Sequence, residues 1–432
     1  MTVAEIIMWG TKIGTVVFDR ETGLGSFEYD PAFLSSGIEV SPLAMPLSRR
    51  VYAFPELARQ SFHGLPGLLA DSLPDKFGNA IIDAWLQSQG RSPSSFDPVE
   101  RLCYTGSRGM GALEYVPARG PSPLESESIE IDRLVQLASD ILRSREDMHI
   151  VAGGNAMQEL IRVGTSAGGA RAKAVIAWNE QTGDIRSGQI DAGKGYEYWL
   201  IKFDGVSKNG DKEGDDAPQY TKIEYAYYLM AQNAGISMSE CRLYEENGRY
   251  HFMTRRFDRD LSTGAKLHMQ SLGGIAHFDF NLPGAYSYEQ AAQVMRQIRI
   301  SNTEISQFYR RMVFNVLARN QDDHVKNVSF LMDKRGRWSL SPAYDVTYAY
   351  NPHGMWTGTH QMTVNGKRDA ITMQDLLSTA RNMGVKNAEA ERIISEVRES
   401  QAGWLQFAEK AGLQESTAMK IQKASVMNLI RM

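Results

Sequence analysis

The chain has 432 residues, 42% hydrophobic and 23% charged, with a net charge of −4; this is ordinary for a globular protein long enough for two or three domains with sizeable cores. That charge excludes a global nucleic-acid or membrane signature, no apolar run is long enough to span a bilayer, and no basic, apolar and cleavage-site series opens the chain. The two cysteines, Cys103 and Cys241, stand far apart in apolar surroundings, which reads as buried free thiols in a reducing compartment; a cytoplasmic location is expected.

Residues 5–19 predict a β-hairpin, and 25–29 continue the β pattern. Residues 55–70 mix short apolar turns with Gly-Leu-Pro-Gly. A helix is predicted over 75–86, with Ile81, Ile82 and Trp85 at helical spacing. A short helix at 99–104 leads to Gly106-Ser-Arg-Gly-Met-Gly111, read as a flexible turn before a strand at 112–116. A phosphate loop there is disfavoured, because it lacks the P-loop lysine and no helix follows. Residues 117–124, rich in Pro, Gly and Ser, predict a linker, and 129–143 an amphipathic helix.

From residue 161 the pattern changes. Gly164, Thr165, Ser166, Ala167, Gly168 and Gly169 form a small, glycine-rich turn that enters a strand at 174–178. After a turn at 179–183, a strand at 197–203 carries Lys202. A glycine-rich turn, a strand and a lysine on a later strand is the order of parts in a protein-kinase N-lobe. There, glycines let backbone N–H groups approach phosphate oxygens, and the lysine neutralises them. Apolar Trp199, Leu200, Ile201 and Phe203 predict a mostly buried strand, and a buried lysine needs an anionic partner. In the helix at 221–232, Thr221 and Glu224 match a capping box; Glu224 is equally suited to pair with Lys202, as on the kinase αC helix. Strands at 241–244 and 250–257 end in Arg255-Arg-Phe-Asp-Arg259. In a kinase layout this is the hinge, where backbone groups around Arg255 and Phe257 meet adenine.

Beyond the hinge the pattern turns helical, at 288–298, 304–319, 373–381, 388–405 and 415–430. Among these helices lies Asn320-Gln-Asp-Asp-His-Val-Lys-Asn327. Asp322 precedes Asn327 by five positions, the offset of the kinase catalytic loop H-R-D-x-x-x-x-N, in which the Asp accepts the substrate hydroxyl's proton and the Asn binds magnesium. Asp323 misses that spacing by one. A hairpin over 328–340 follows, and then Asp345, in the place of the kinase metal-binding Asp. Any one of these residues could merely cap a turn; together, in this order around a hairpin, they point to chemistry. The expected fold class is α+β: a bilobal protein-kinase-like fold with an extra N-terminal β-rich subdomain and an all-α C-lobe, divided at 1–120, 121–258 and 259–432.

With these motifs in place, the chain resembles the HipA family of kinase toxins from HipA–HipB modules. The likeness lies in Leu65–Lys76, Gly106–Leu113, Thr165–Lys173, Arg256–Arg259, Asp322–Asn327 and Pro342–Asp345. It implies an ATP- and Mg2+-dependent Ser/Thr protein kinase. Asp322 would be the base, Asn327 and Asp345 the magnesium ligands, and Lys202 the phosphate-binding lysine. His324, with Lys326 near it, would lie beside the nucleotide phosphates, and Ser166 would be the autophosphorylation site. It further implies a HipB-like antitoxin partner through which operator DNA is met, and a protein substrate such as an aminoacyl-tRNA synthetase. Arg255 stands where some relatives carry Glu, and Asp323 where some carry Gly, which adds charge beside the base. A small-molecule phosphotransferase on the same fold, or a co-repressor with a vestigial nucleotide site, are the competing expectations.

Overall fold

Alternation of apolar and polar residues builds the first sheet. In a computed structural model that describes residues 1–119, 129–147, 171–189, 191–206, 219–260 and 263–425, β1 (Thr2–Met8) pairs antiparallel with β2 (Thr11–Asp19). Ala4, Ile6 and Met8 are buried on one face of β1 while Val3 is exposed on the other, as a half-buried strand requires. β3 (Leu24–Tyr29) adds to β2, and β4 (Leu113–Val116) returns to the free side of β1, giving the order β3-β2-β1-β4.

The second sheet has the order β6-β5-β7-β9-β8, from β5 (Lys173–Trp178), β6 (Ile185–Ser187), β7 (Glu197–Lys202), β8 (Cys241–Glu246) and β9 (Arg249–Arg255). One core joins it to α1 (Lys76–Ser88) and α3 (Ile131–Asp147): Phe77, Ile81, Ile82 and Leu86 pack with Leu134, Val135 and Ala138, and with Trp199, Ile201 and Phe203. Between these helices α2 (Pro98–Thr105) opens with a capping box of Asp97 and Glu100. Cys103 and Cys241 are both buried and neither is in a disulfide.

The other unit is helical: α4 (Tyr220–Asn233), the one-turn α5 (Leu272–Ala276), α6 (Tyr288–Gln297), α7 (Asn302–Leu317), α8 (Met373–Asn382), α9 (Asn387–Ala402), α10 (Trp404–Lys410) and α11 (Glu415–Ala424). The expected hairpin, β10 (Ser329–Met332) and β11 (Trp338–Leu340), is present. Capping boxes at Ser287/Gln290, Ser301/Glu304 and Thr372/Asp375 set three of the helix starts.

Two expectations are corrected. The helix predicted at 221–232 starts without the Thr221–Glu224 box: its N-cap is Gln219, in a left-handed conformation with no side-chain capping bond. Thr221 and Glu224 are both buried inside the helix, where packing decides their use. The helix predicted over 388–405 is two helices, because the chain breaks at Gly403, and Trp404 beyond it is buried with its indole N–H donating to Ala418 O at 2.9 Å.

By contacts the chain divides into Met1–Asp216, Arg242–Gln270 and Met332–Gly336 as one unit and Ala217–Cys241, Ser271–Leu331 and Arg337–Met432 as the other. The subdomain expected at 1–120 thus shares a unit with the second sheet, and α4 belongs with the helices. Among the described residues no helix is long and apolar enough to cross a membrane.

Candidate active site

The loop after α7 is held from both ends. Arg319 takes a left-handed conformation with φ 57°, which turns the chain out of the helix. Asn320 then pairs with Ala349: Gln321 N donates to Ala349 O at 3.0 Å, and Ala349 N to Arg319 O at 3.1 Å. At the far end, residues Val325–Asn327 form one 3₁₀ turn capped by His324, whose Nδ1 accepts from Lys326 N at 3.2 Å. That bond places the ring's proton on Nε2, which lies 3.8 Å from Asp322 Oδ1. Asn327 Nδ2 donates to the Asp322 carbonyl at 2.8 Å. The five-residue offset read from the sequence is therefore the span of one closed loop.

The two neighbouring carboxylates have opposite surroundings. The Asp322 side chain is 29% exposed, and Trp356 Nε1 donates to its Oδ1 at 2.7 Å. The Asp323 side chain is fully buried. Its Oδ2 accepts from Tyr288 OH at 2.7 Å and meets His360 Nδ1 at 2.9 Å, while Oδ1 accepts from Gln361 N at 2.7 Å. Burial raises the Asp323 carboxyl, but His360 and the hydrogen bonds outweigh it and hold the group below the usual carboxylate range. The Asp323 charge beside Asp322 is thus used up within the core.

Asp345 follows the hairpin and has φ 53°, left-handed and unusual for a residue with a side chain. The chain before it is fixed by Ala343 N donating to Ser237 O at 2.9 Å. Asn320, Asp323, His324, Asn327, Tyr344 and Asp345 share the lining of one cavity of about 30 Å³, with Arg311 also at its wall; that is room for one or two water-sized occupants. Asn320 Oδ1 is buried there without a hydrogen-bond partner among the described residues. Oxygen donors from an amide pair and a carboxylate suit a small hard cation with part of its water shell. Among the described residues no group of three or more His, Cys, Asp or Glu is arranged to hold a metal ion. Lys326 Nζ lies 4.7 Å from the centre of the Phe280 ring, which in turn neighbours His324 at 5.9 Å.

In the sheet-rich unit, Lys202 ends β7, 8% exposed, paired in register with Lys173 and Phe252, and its Nζ is 5.9 Å from the Phe252 ring centre. Lys173 forms an ion pair with Asp75 at 3.0 Å, both side chains buried. Asp75 also caps α1, accepting from Gly78 N at 2.6 Å, so the start of β5 is tied to a helix start. Arg255 pairs with Glu197 and lies 5.7 Å over the Trp199 ring; Phe257 is half-buried. The Arg256–Arg259 motif is a clamp. Asp258, fully buried, takes both Arg256 Nε (2.9 Å) and Nη2 (2.7 Å), Arg259 Nη1 (2.8 Å) and Gly111 N (2.7 Å). Burial opposes the Asp258 charge, yet the two guanidinium groups hold its carboxyl far below the usual range. The turn expected to be flexible at 106–111 is therefore anchored at Gly111. Gly164, Thr165, Ser166, Ala167, Gly168 and Gly169 lie outside the described residues.

Several residues escaped the sequence reading. Trp356, His360 and Gln361 come from a loop with no periodic signal, and Tyr288 read only as an apolar helix position. Their role depends on which segment folds over the loop, and no spacing encodes that.

Comparison with known proteins agrees with this architecture. Residues 165–405 match the HipA-like C-terminal domain, and residues 4–116 match the HipA N-terminal domain. The chain belongs to the HipA family. A Sinorhizobium fredii protein named "Putative kinase Y4mE" is 24% identical over 369 residues, 81% of this chain and 79% of its own. A Haemophilus influenzae protein named "Putative kinase" is 27% identical over 160 residues, 33% of this chain and 46% of its own. The solved HipA of Shewanella oneidensis MR-1, in complex with HipB and operator DNA, superposes with a TM-score of 0.67 at 16% identity, covering 99% of this chain and 96% of that one. At that identity the likeness speaks for the fold.

Proposed function

We propose that this chain is an ATP- and Mg2+-dependent protein serine/threonine kinase, the toxin of a toxin–antitoxin module. The observation that carries the reading is the division of labour at Asp322–Asp323. One carboxylate is consumed by three core partners; the other stays half-buried at the mouth of a loop whose far end, Asn327, is bonded back to it. A base must be reachable and oriented, and Asp322 is both.

In this reading Asp322 accepts the proton of a serine or threonine hydroxyl as the oxygen attacks the γ-phosphorus. Asn327 and Asp345 would hold magnesium, His324 would lie beside the nucleotide phosphates, and Lys202, on its own sheet, is the proposed phosphate-binding lysine. When bound with ATP, the ion offsets charge on the phosphate oxygens as the γ-phosphoryl group leaves. The oxygen-rich cavity at Asn327 and Asp345, with the unsatisfied Asn320 Oδ1, supports a cation there. The names of the relatives support phosphoryl transfer, and the HipB and operator DNA of the Shewanella complex support a HipB-like antitoxin that carries the DNA contact. Self-regulation at Ser166 is part of the proposal: a phosphate there adds about −1.5 to −2 charge beside the nucleotide phosphates, and binding of ATP should fall.

The test is incubation of the purified protein with ATP and Mg2+, alone and with candidate protein substrates such as aminoacyl-tRNA synthetases, read by intact mass. Added phosphate in the wild type, none in Asp322→Ala, and none on the protein itself in Ser166→Ala is expected. Equal phosphorylation by wild type and Asp322→Ala overturns the assignment.

A further inference from the structure

We propose that Trp356 is a positioning residue for phosphoryl transfer: its indole N–H fixes the carboxylate of Asp322 in the orientation that accepts the hydroxyl proton, an inference that rests on the kinase reading above. The bond is short and charge-assisted, Trp356 Nε1 to Asp322 Oδ1 at 2.7 Å. An indole can only donate, so Asp322 Oδ1 is the acceptor of this bond.

Three further observations separate this contact from ordinary packing. First, two other indoles donate to backbone carbonyls: Trp9 Nε1 to Lys266 O at 2.7 Å and Trp404 Nε1 to Ala418 O at 2.9 Å. Trp356 instead reaches a half-exposed side chain. Second, the ring is not in the core. Trp356 is half-buried, and its neighbour Met355 is 96% exposed. Third, the segment bearing Trp356 is fixed by the buried carboxylate next door. Gln361 Nε2 donates to Trp356 O, Gln361 N donates to Asp323 Oδ1 at 2.7 Å, and His360 meets Asp323 Oδ2 at 2.9 Å. The same segment is tied to a third stretch by Gly284 N donating to Gln361 O at 2.8 Å. Asp323 thereby serves as the anchor of a short strap, and Trp356 is the part of the strap that grips Asp322. The indole also neighbours His324, with ring centres 6.4 Å apart, so it braces the loop where the phosphates would lie.

Trp356→Phe keeps the ring and removes the donor. A base that loses its orientation costs rate without costing nucleotide affinity, so kcat for transfer to a protein hydroxyl should fall about 10- to 100-fold while the KM for ATP holds. Because Trp356 acts through Asp322, the double variant Trp356→Phe/Asp322→Ala should be no slower than Asp322→Ala alone. The bond itself is read without activity: with 15N-labelled tryptophan, Asp322→Ala should move one of the seven indole N–H resonances and leave the others in place, a result that stands even if Trp356→Phe fails to fold. A kcat for Trp356→Phe within about twofold of wild type, additive losses in the double variant, or an unmoved indole spectrum overturns the inference. A wild type that transfers no phosphate overturns the kinase reading and this inference together. An inactive Asp322→Ala beside an unimpaired Trp356→Phe overturns this inference alone.

Discussion

Replacing Asp323 by alanine should unfold the helical unit's core without touching the chemistry directly, and Asp322→Ala should do the reverse. The carboxylate of Asp323 satisfies Tyr288 OH, His360 Nδ1 and Gln361 N, and the Tyr288 hydroxyl in turn accepts from Asn315 Nδ2 at 3.0 Å. Hydrogen bonds to a charged group are each worth about 1.5–3 kcal/mol, but they share one acceptor and do not add. Removing one side of a buried charged network costs about 3–5 kcal/mol, against a total stability of about 5–15 kcal/mol for a typical domain. Urea unfolding, followed by far-ultraviolet circular dichroism, should show a much lower midpoint for Asp323→Ala at pH 7. Asp322→Ala, at a partly exposed site, should stay within about 1 kcal/mol of wild type. The pH dependence has a definite sign. The folded carboxyl of Asp323 lies below its ordinary value of about 3.9, so its contribution is complete above that pH and is lost as pH falls through the folded value. The gap between wild type and Asp323→Ala should therefore close in strong acid. An Asp323→Ala protein as stable as wild type but dead in phosphoryl transfer would refute the reasoning and move the catalytic register by one residue.

Asp345→Asn and Asn327→Ala should each remove most Mg2+-dependent turnover while thermal unfolding stays near wild type; full turnover at limiting magnesium would refute the metal assignment. Asp258→Ala strands the guanidinium groups of Arg256 and Arg259 in the interior, and a loss of about 3–5 kcal/mol by urea unfolding is expected. Burial pushes His251 and His268 down to about 4. Each histidine is protonated more readily in the unfolded chain, so the sheet-rich unit should lose stability as pH falls from about 6.5 towards 4. Melting temperatures of His268→Gln across that range should show a flatter slope than wild type.

Much of the fold was legible because its patterns are local. The hairpin of β1 and β2, the strands around Lys202 and the amphipathic helices α3, α6 and α7 all announce themselves by period. The loop from Asp322 to Asn327 was legible for the same reason: its two ends lie five residues apart and bond to each other. What stayed hidden is non-local. The Thr221–Glu224 spacing fits a capping box, but the chain enters α4 through a left-handed Gln219, and burial takes both side chains. Arg256, Asp258 and Arg259 looked like part of a hinge; their partners Gly109, Gly111 and Gly188 are brought up by tertiary packing. The strap of Trp356, His360 and Gln361 is a loop without periodicity, made significant only by what it covers.

The Asp258 clamp also sets an order of assembly. Gly111 and Asp258 are separated by 147 positions, and the unit that contains both takes its later pieces from Arg242–Gln270 and Met332–Gly336. On a ribosome, the first sheet can pair as soon as β4 emerges, yet the turn at Gly111 waits for its anchor until Arg259 has been made. Truncation anywhere in the first half of the gene therefore leaves that turn unlatched. A useful fragment of the N-terminal unit has to carry the Arg256–Arg259 segment with it, supplied in the same chain or as a complementing peptide.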